Sequence, residues 1–176
     1  MAGLRKGYPG LASTAEYIKK YIPKSKIYCE PFAGMGRTVE YKHDKIILND
    51  MSDVAVKYLK NTFPNTVVTQ EDFETCIKRW DSDDTFFFCD PPWNPIDYKL
   101  NPNTFCNRGV GYYYSKCREL LSNSKSKWII AGRALGGSRS TVTVYFDGYN
   151  NKIIYGNKTI NGHTTKVKLY SNMELI

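Results

Sequence analysis

Thr85-Phe86-Phe87-Phe88-Cys89-Asp90-Pro91-Pro92-Trp93 is the stretch on which the reading of this 176-residue chain turns. The run before Asp90 is apolar on both faces of any extended segment, the pattern of a strand covered on both sides. Asp90 ends it, and the two prolines that follow permit neither more ladder nor a helix. Open α/β sheets place their ligands at the carboxyl ends of central strands. An acid, two prolines and an aromatic there make a candidate site. The same residues also suit a plain tight turn with Trp93 as a core anchor, and nothing within the stretch separates the two readings.

Upstream, three more strands are expected, each ending in polar residues. Lys26–Cys29 runs into Glu30-Pro31-Phe32-Ala33-Gly34-Met35-Gly36, a glycine turn that lets the backbone approach a small ligand and is expected to open a helix. Val39 stands where a dinucleotide fingerprint needs a small residue, and no Gly-Lys-Ser/Thr follows, which excludes both familiar phosphate loops. Lys45–Leu48 ends at Asn49-Asp50. Asp50 is placed to accept hydrogen bonds from ribose hydroxyls, or, with Ser52 and Asp53, to cap the next helix. Thr66–Thr69 delivers Gln70-Glu71-Asp72-Phe73. Asp72 can accept from an adenine amino group with Phe73 near the ring, or both can begin the amphipathic helix carrying Ile77 and Trp80.

The ends of the chain carry weaker patterns. A short helix is expected from Ser13, with Ala15, Ile18, Tyr21 and Ile22 as its apolar stripe and Pro23 as its stop. Beyond Trp93 the chain reads as an irregular stretch to Gly111, a helix over Tyr112–Leu121 and a fifth buried strand over Lys127–Ala131. A loop from Gly132 to Ser140 follows, then three β-rich runs: Thr141–Phe146, Lys152–Tyr155 and Lys166–Tyr170. Of the tyrosines at 112–114, at least one must be core, because three successive residues cannot share a helix face.

Charge is unevenly placed. Residues 1–93 hold 13 Lys+Arg against 13 Asp+Glu, whereas residues 94–176 hold 12 against 4, so the whole net charge of +8 lies in the second half. A neutral half followed by a basic one suggests a polyanionic partner, or a merely solubilising surface. Five cysteines without a Cys-x-x-Cys pair argue for a reducing compartment and against a disulfide frame or zinc knuckle. His43 and His163 show no metal-ligand spacing. With no signal-like start and no apolar run long enough for a bilayer, a cytoplasmic protein without membrane attachment is expected.

Four strand ends therefore line up: Glu-Pro-Phe-Ala-Gly-Met-Gly, Asn-Asp, Glu-Asp-Phe and Asp-Pro-Pro-Trp. In this combination and order the sequence resembles the Dam-like class of S-adenosylmethionine-dependent adenine-N6 DNA methyltransferases, closely from Leu4 to Trp93 and loosely beyond. The resemblance implies a Rossmann-like α/β sheet with helices on both faces, closed by an antiparallel C-terminal hairpin, in one domain over residues 1–176. It implies S-adenosyl-L-methionine as cofactor and no metal. Glu30, Pro31, Phe32, Ala33, Gly34 and Gly36 would form the loop around the methionine part of that cofactor, and Tyr8 would belong to an N-terminal cofactor motif. Asp50, with Met51 beside it, would hold the ribose, and Asp72 and Phe73 the adenine. Asp90, Pro91, Pro92 and Trp93 would be the catalytic motif, acting on a flipped-out base in DNA.

The sequence departs from that class in three places. Gly10-Leu11-Ala12 follows Tyr8-Pro9 without the usual lysine. Only Glu74 to Cys89 separates the third and fourth motifs, where the class normally inserts a recognition domain, so specificity should be low, short, or supplied by a protein partner or second copy. Trp93 replaces the commoner tyrosine, as it also does in RNA adenine methyltransferases. Arg108, Lys116, Arg133 and Arg139 are the candidate phosphate contacts, with Arg118 near them. Cytosine N4, adenine in RNA, and a nucleic-acid-binding subunit without turnover remain the alternatives.

Overall fold

The computed structural model describes residues 11, 13–93, 109–134, 140–158 and 164–176. Seven strands form one sheet in the order β3-β2-β1-β4-β5-β7-β6. They are β1 (Ile27–Glu30), β2 (Lys45–Asn49), β3 (Val67–Thr69), β4 (Thr85–Cys89), β5 (Lys127–Arg133), β6 (Asn150–Lys158) and β7 (Thr164–Ser171). β1 to β5 are parallel, and β7 runs antiparallel to both β5 and β6. The order reverses between β1 and β4, and a cleft opens at such a switch point because successive connections leave in opposite directions.

β4 holds the middle of the sheet, and all five of its residues are buried. Phe86 and Phe88 face one apolar cluster, and Phe87 and Cys89 the other. Helices α1 (Ala15–Lys19) and α2 (Asp53–Thr62) cover the first face through Ile18 and Leu59. Helices α3 (Phe73–Trp80), α4 (Val110–Ser122) and α5 (Thr141–Phe146) cover the second through Ile77, Cys117 and Phe146. The sheet with helices on both faces and an antiparallel ending is therefore as the sequence suggested. Tyr113 and Tyr114 are core. Among the described residues no helix is long and apolar enough to cross a membrane.

Three expectations fail. Thr141–Phe146 is helical, although its alternation and β-branched residues read as a strand. The flank of β5 is taken by β7, so this segment has no ladder to join; Val142 and Phe146, four apart, bury themselves in the second cluster instead. The glycine turn after β1 opens no helix either, and residues 31–44 are turns, bends and irregular backbone. Gly34 and Gly36 are left-handed, with φ of 52° and 61°, and the Thr38 hydroxyl that could have capped a helix is bonded to Glu30. The first helix is also shorter than its apolar stripe, ending at Lys19 while Tyr21 and Ile22 remain buried.

Candidate functional site

The glycine loop is held from both sides. Glu30, the last residue of β1, is 2% exposed. Its Oε1 accepts the hydroxyls of Tyr28, two residues earlier on the strand, and Thr38, beyond the loop at 2.6 Å. Burial pushes the Glu30 carboxyl up to about 7 against the pull of the two hydroxyls. The same burial, with Glu30 alongside, raises the Tyr28 phenol well above its ordinary value. His43 stacks on Tyr28 with ring centroids 4.6 Å apart, and burial lowers its pKa. No spacing in the sequence marked a partner for His43; its place is structural, behind the loop.

On the other side, Asp50 reaches across from the tip of β2. Its Oδ2 accepts the Gly34 N–H at 2.8 Å and its Oδ1 the Ser52 N–H at 2.8 Å. Burial raises its pKa against those two backbone donors. Each carboxylate oxygen has a second lone pair, so these bonds leave acceptor capacity for a ligand's hydroxyls. Met51 beside it is 41% exposed. Ser52, not Asp50, caps α2 through its bond from the Ala55 N–H.

Asn49 is the residue that sequence reasoning passed over. Fully buried, it donates to the Pro31 and Glu71 carbonyls and accepts from the Thr69 hydroxyl and the Glu71 N–H. It ties together the tips of β1, β2 and β3. The available signal was an amide ending an apolar strand, a group that must be satisfied once buried.

Asp72 is the N-cap of α3, its Oδ1 accepting the Glu74 N–H at 2.9 Å, and Phe73 opens the helix. Phe73 is buried against Phe32 and Tyr113, at centroid distances of 4.9 and 5.6 Å. The helix-start alternative describes this geometry, with Phe32 of the glycine loop packed on the same aromatic group.

Asp90 follows β4 directly. Cys29 of β1 lies level with Phe87 of β4, so Asp90 stands two residues past Glu30 on the adjacent strand, about 8 Å away by strand geometry. The indole N–H of Trp93 donates to Asp90 Oδ1 at 2.7 Å. Pro91 is buried, and Trp93 is half-buried against the first core cluster. The tight-turn reading, with Trp93 as a core anchor, describes this geometry, and the turn holds the Asp90 carboxylate at the end of β4.

The candidate phosphate contacts separate. Lys116 is ion-paired with Glu119 at 2.7 Å within α4, and Arg118 bonds the Tyr149 hydroxyl and lies over its ring. Arg133 is exposed at the carboxyl tip of β5, on the same edge as Asp90. Tyr8, Arg108, Arg139 and His163 lie outside the described residues.

No family model matches the chain, and no curated protein is similar to it in sequence. Solved structures are. An rRNA methylase from Streptococcus thermophilus shares 11% identity over 90% of this chain and 94% of its own, with a TM-score of 0.53. SMU.1697c of Streptococcus mutans, solved in complex with SAH, shares 11% over 89% and 94%, with a TM-score of 0.53. The fold is that of the Rossmann-like methyltransferases. A spermidine synthase from Thermotoga maritima is similar too, with 12% identity over 93% of this chain and 59% of its own and a TM-score of 0.51. The architecture therefore serves more than one reaction, and function has to be argued from the site.

Proposed function

We propose that this chain is an S-adenosylmethionine-dependent methyltransferase acting on adenine N6 in DNA. The observation that carries the reading is the meeting, at the switch point between β1 and β4, of the Glu30–Gly36 loop, the Asp50 carboxylate and the Asp90-Pro91-Pro92-Trp93 turn.

These residues fit the cofactor. Gly36 is left-handed, and a Cβ there would lie 2.7 Å from the Phe63 ring, so the loop can take this path only with glycine. Asp50 keeps acceptor capacity for ribose hydroxyls, and the uncovered Met51 and half-buried Asp72 flank the adenine side. When bound, S-adenosylmethionine supplies a methyl group on a sulfonium, an electrophile that needs no metal.

The chain's own work is to prepare the amine. An exocyclic amino group is a poor nucleophile because its lone pair is delocalised into the ring. The Asp90 carboxylate and the Pro91 carbonyl can accept its two hydrogens and turn the nitrogen lone pair out of the ring plane. The gain is orientation plus preorganised electrostatics. The Trp93 N–H holds one oxygen of Asp90 and so sets the orientation of the carboxylate. Trp93 itself offers an aromatic face to an extruded base.

A second reading, the same reaction on adenine in RNA, is favoured by Trp93 at the aromatic position and by the fold likeness to an rRNA methylase. One assay separates them. Labelled S-adenosylmethionine is offered with unmethylated plasmid DNA, denatured DNA or total RNA, using wild type and Asp90→Ala. N6-methyladenine should appear in DNA and vanish with the variant. Label only in RNA supports the second reading. Cofactor binding without transfer to any of the three would overturn both.

A further inference from the structure

The antiparallel end of the sheet overhangs the candidate site. Cys89 is level with Ile130 of β5, which continues to Arg133. Arg133 is level with Val167, and the β6–β7 ladder runs on to Lys158 and Thr164. At about 3.4 Å per residue, this ribbon reaches about 20 Å past the end of β4, beyond the sheet edge at which Asp90 lies.

The two faces of the ribbon differ. Ile154 and Val167 are buried on the side where α1 packs. There the approach is so close that a Cβ on Gly156 would lie 2.8 Å from Ser13 Oγ, and the Tyr17 hydroxyl donates to Asn157. The other face carries the cross-strand pairs Ile153–Lys168 and Tyr155–Lys166. Here Ile153 is 43% and Tyr155 58% exposed. Lys166 stands 5.5 Å from the centre of the Tyr155 ring, and Lys168 4.8 Å from that of Tyr170. From Gly148 to Met173 the sequence has four lysines and no acid. An exposed aromatic ring with one ammonium over it and a second on the same face of an acid-free ribbon offers stacking and phosphate contact together.

We propose that this face, with Tyr155 as stacking platform and Lys166 and Lys168 as phosphate contacts, is the track for the single strand flanking the target base. Tyr155 lies about 17 Å from Asp90, three residues further along the sheet and three strands across, within a few nucleotides' reach. The ribbon supplies what the stretch between the third and fourth motifs cannot, since α3 and β4 consume Glu74–Cys89. Binding of this kind tolerates sequence variation, because every base has a face to stack. The proposal rests on the reading that the chain acts on nucleic acid.

The test is fluorescence anisotropy of a short labelled oligonucleotide, as DNA and as RNA, across a salt series. Wild type, Tyr155→Phe, Tyr155→Ala and the double variant Lys166→Ala/Lys168→Ala are compared, with thermal melting and cofactor calorimetry as folding controls. Tyr155→Ala should weaken binding on the order of 5- to 100-fold, while Tyr155→Phe retains it. The double variant should reduce the salt slope by about 1.4, or about 0.7 for each lost phosphate contact. Unchanged affinity and slope in folded variants overturn the track, as does a wild type that ignores oligonucleotides and binds anionic phosphatidylserine vesicles. Methyl transfer is measured in parallel. Transfer with unchanged variant binding sinks the track alone, whereas Tyr155-dependent binding without transfer sinks the reaction and leaves the track standing.

Discussion

At the scale of single residues, Glu30 and Asp90 show how one acid type is given two characters. Glu30 is sealed behind the loop, and burial raises its carboxyl to about 7. Between its ordinary value of 4.5 and about 7, the folded state therefore holds a proton that the unfolded chain has released. Stability from this group is full below that window and declines as pH rises through it, by roughly 3 kcal/mol in all. Glu30→Gln should flatten the dependence of the melting temperature on pH across this interval. An unchanged slope would show that Glu30 does not titrate there. Asp90 is instead tied by the Trp93 indole. Trp93→Phe keeps an aromatic face and removes the N–H, so kcat should fall about tenfold with a smaller change in KM. Trp93→Ala should damage both, and full kcat in the phenylalanine variant would remove Trp93 from the positioning of Asp90.

Between elements, stability depends on a few polar ties at the two edges of the sheet. At the amino edge, Asp81 after α3 accepts from the Ser124 and Ser126 hydroxyls and from the Lys125 and Ser126 N–H groups. The turn before β4 is thereby locked to the turn before β5. Burial pushes the Asp81 carboxyl up, but these donors together hold it below the usual value. Its contribution is present above the ordinary carboxylate pKa and is lost as pH falls through the lowered one, opposite in sign to Glu30. Asp81→Ala should destabilise by about 1–3 kcal/mol at neutral pH, read from urea unfolding, and by less in acid. At the carboxyl edge, Gly36→Ala must place a Cβ against Phe63 in a left-handed backbone. A loss of about 1–2 kcal/mol is expected, with weaker cofactor binding by calorimetry.

For the molecule as a whole, burial decides chemistry that the sequence leaves open. Cys29, Cys76, Cys89 and Cys117 are all buried in the second core cluster. Burial raises the Cys29 and Cys89 thiols well above their ordinary value. These four should resist a thiol reagent in the native protein and react once it unfolds, with peptide mass mapping to assign each site. Rapid native labelling of any of the four would contradict the packing around β4.

The parallel half of the fold was legible because its signals are local. An apolar run covered on both sides, stopped by Asp90-Pro91-Pro92, can only be a central strand, and each upstream strand carries its own polar stop. The strand ends that converge at the switch point could be read for the same reason, since strand order sends them all to one edge. Thr141–Phe146 was not legible: its alternation suits a strand, and only β7, arriving from later in the chain, removes the ladder it would have joined. The turn after Gly36 likewise became helix-free once Thr38 bonded to a buried acid eight residues earlier. Sequence by itself determined which residues sit at strand ends, because hydrophobic period and proline act over a few positions. Tertiary structure alone decided which neighbours those residues meet: Asn49 binding three strand tips, His43 stacked on Tyr28, and a basic ribbon standing past the site. Those outcomes depend on contacts between distant segments, which no local pattern encodes.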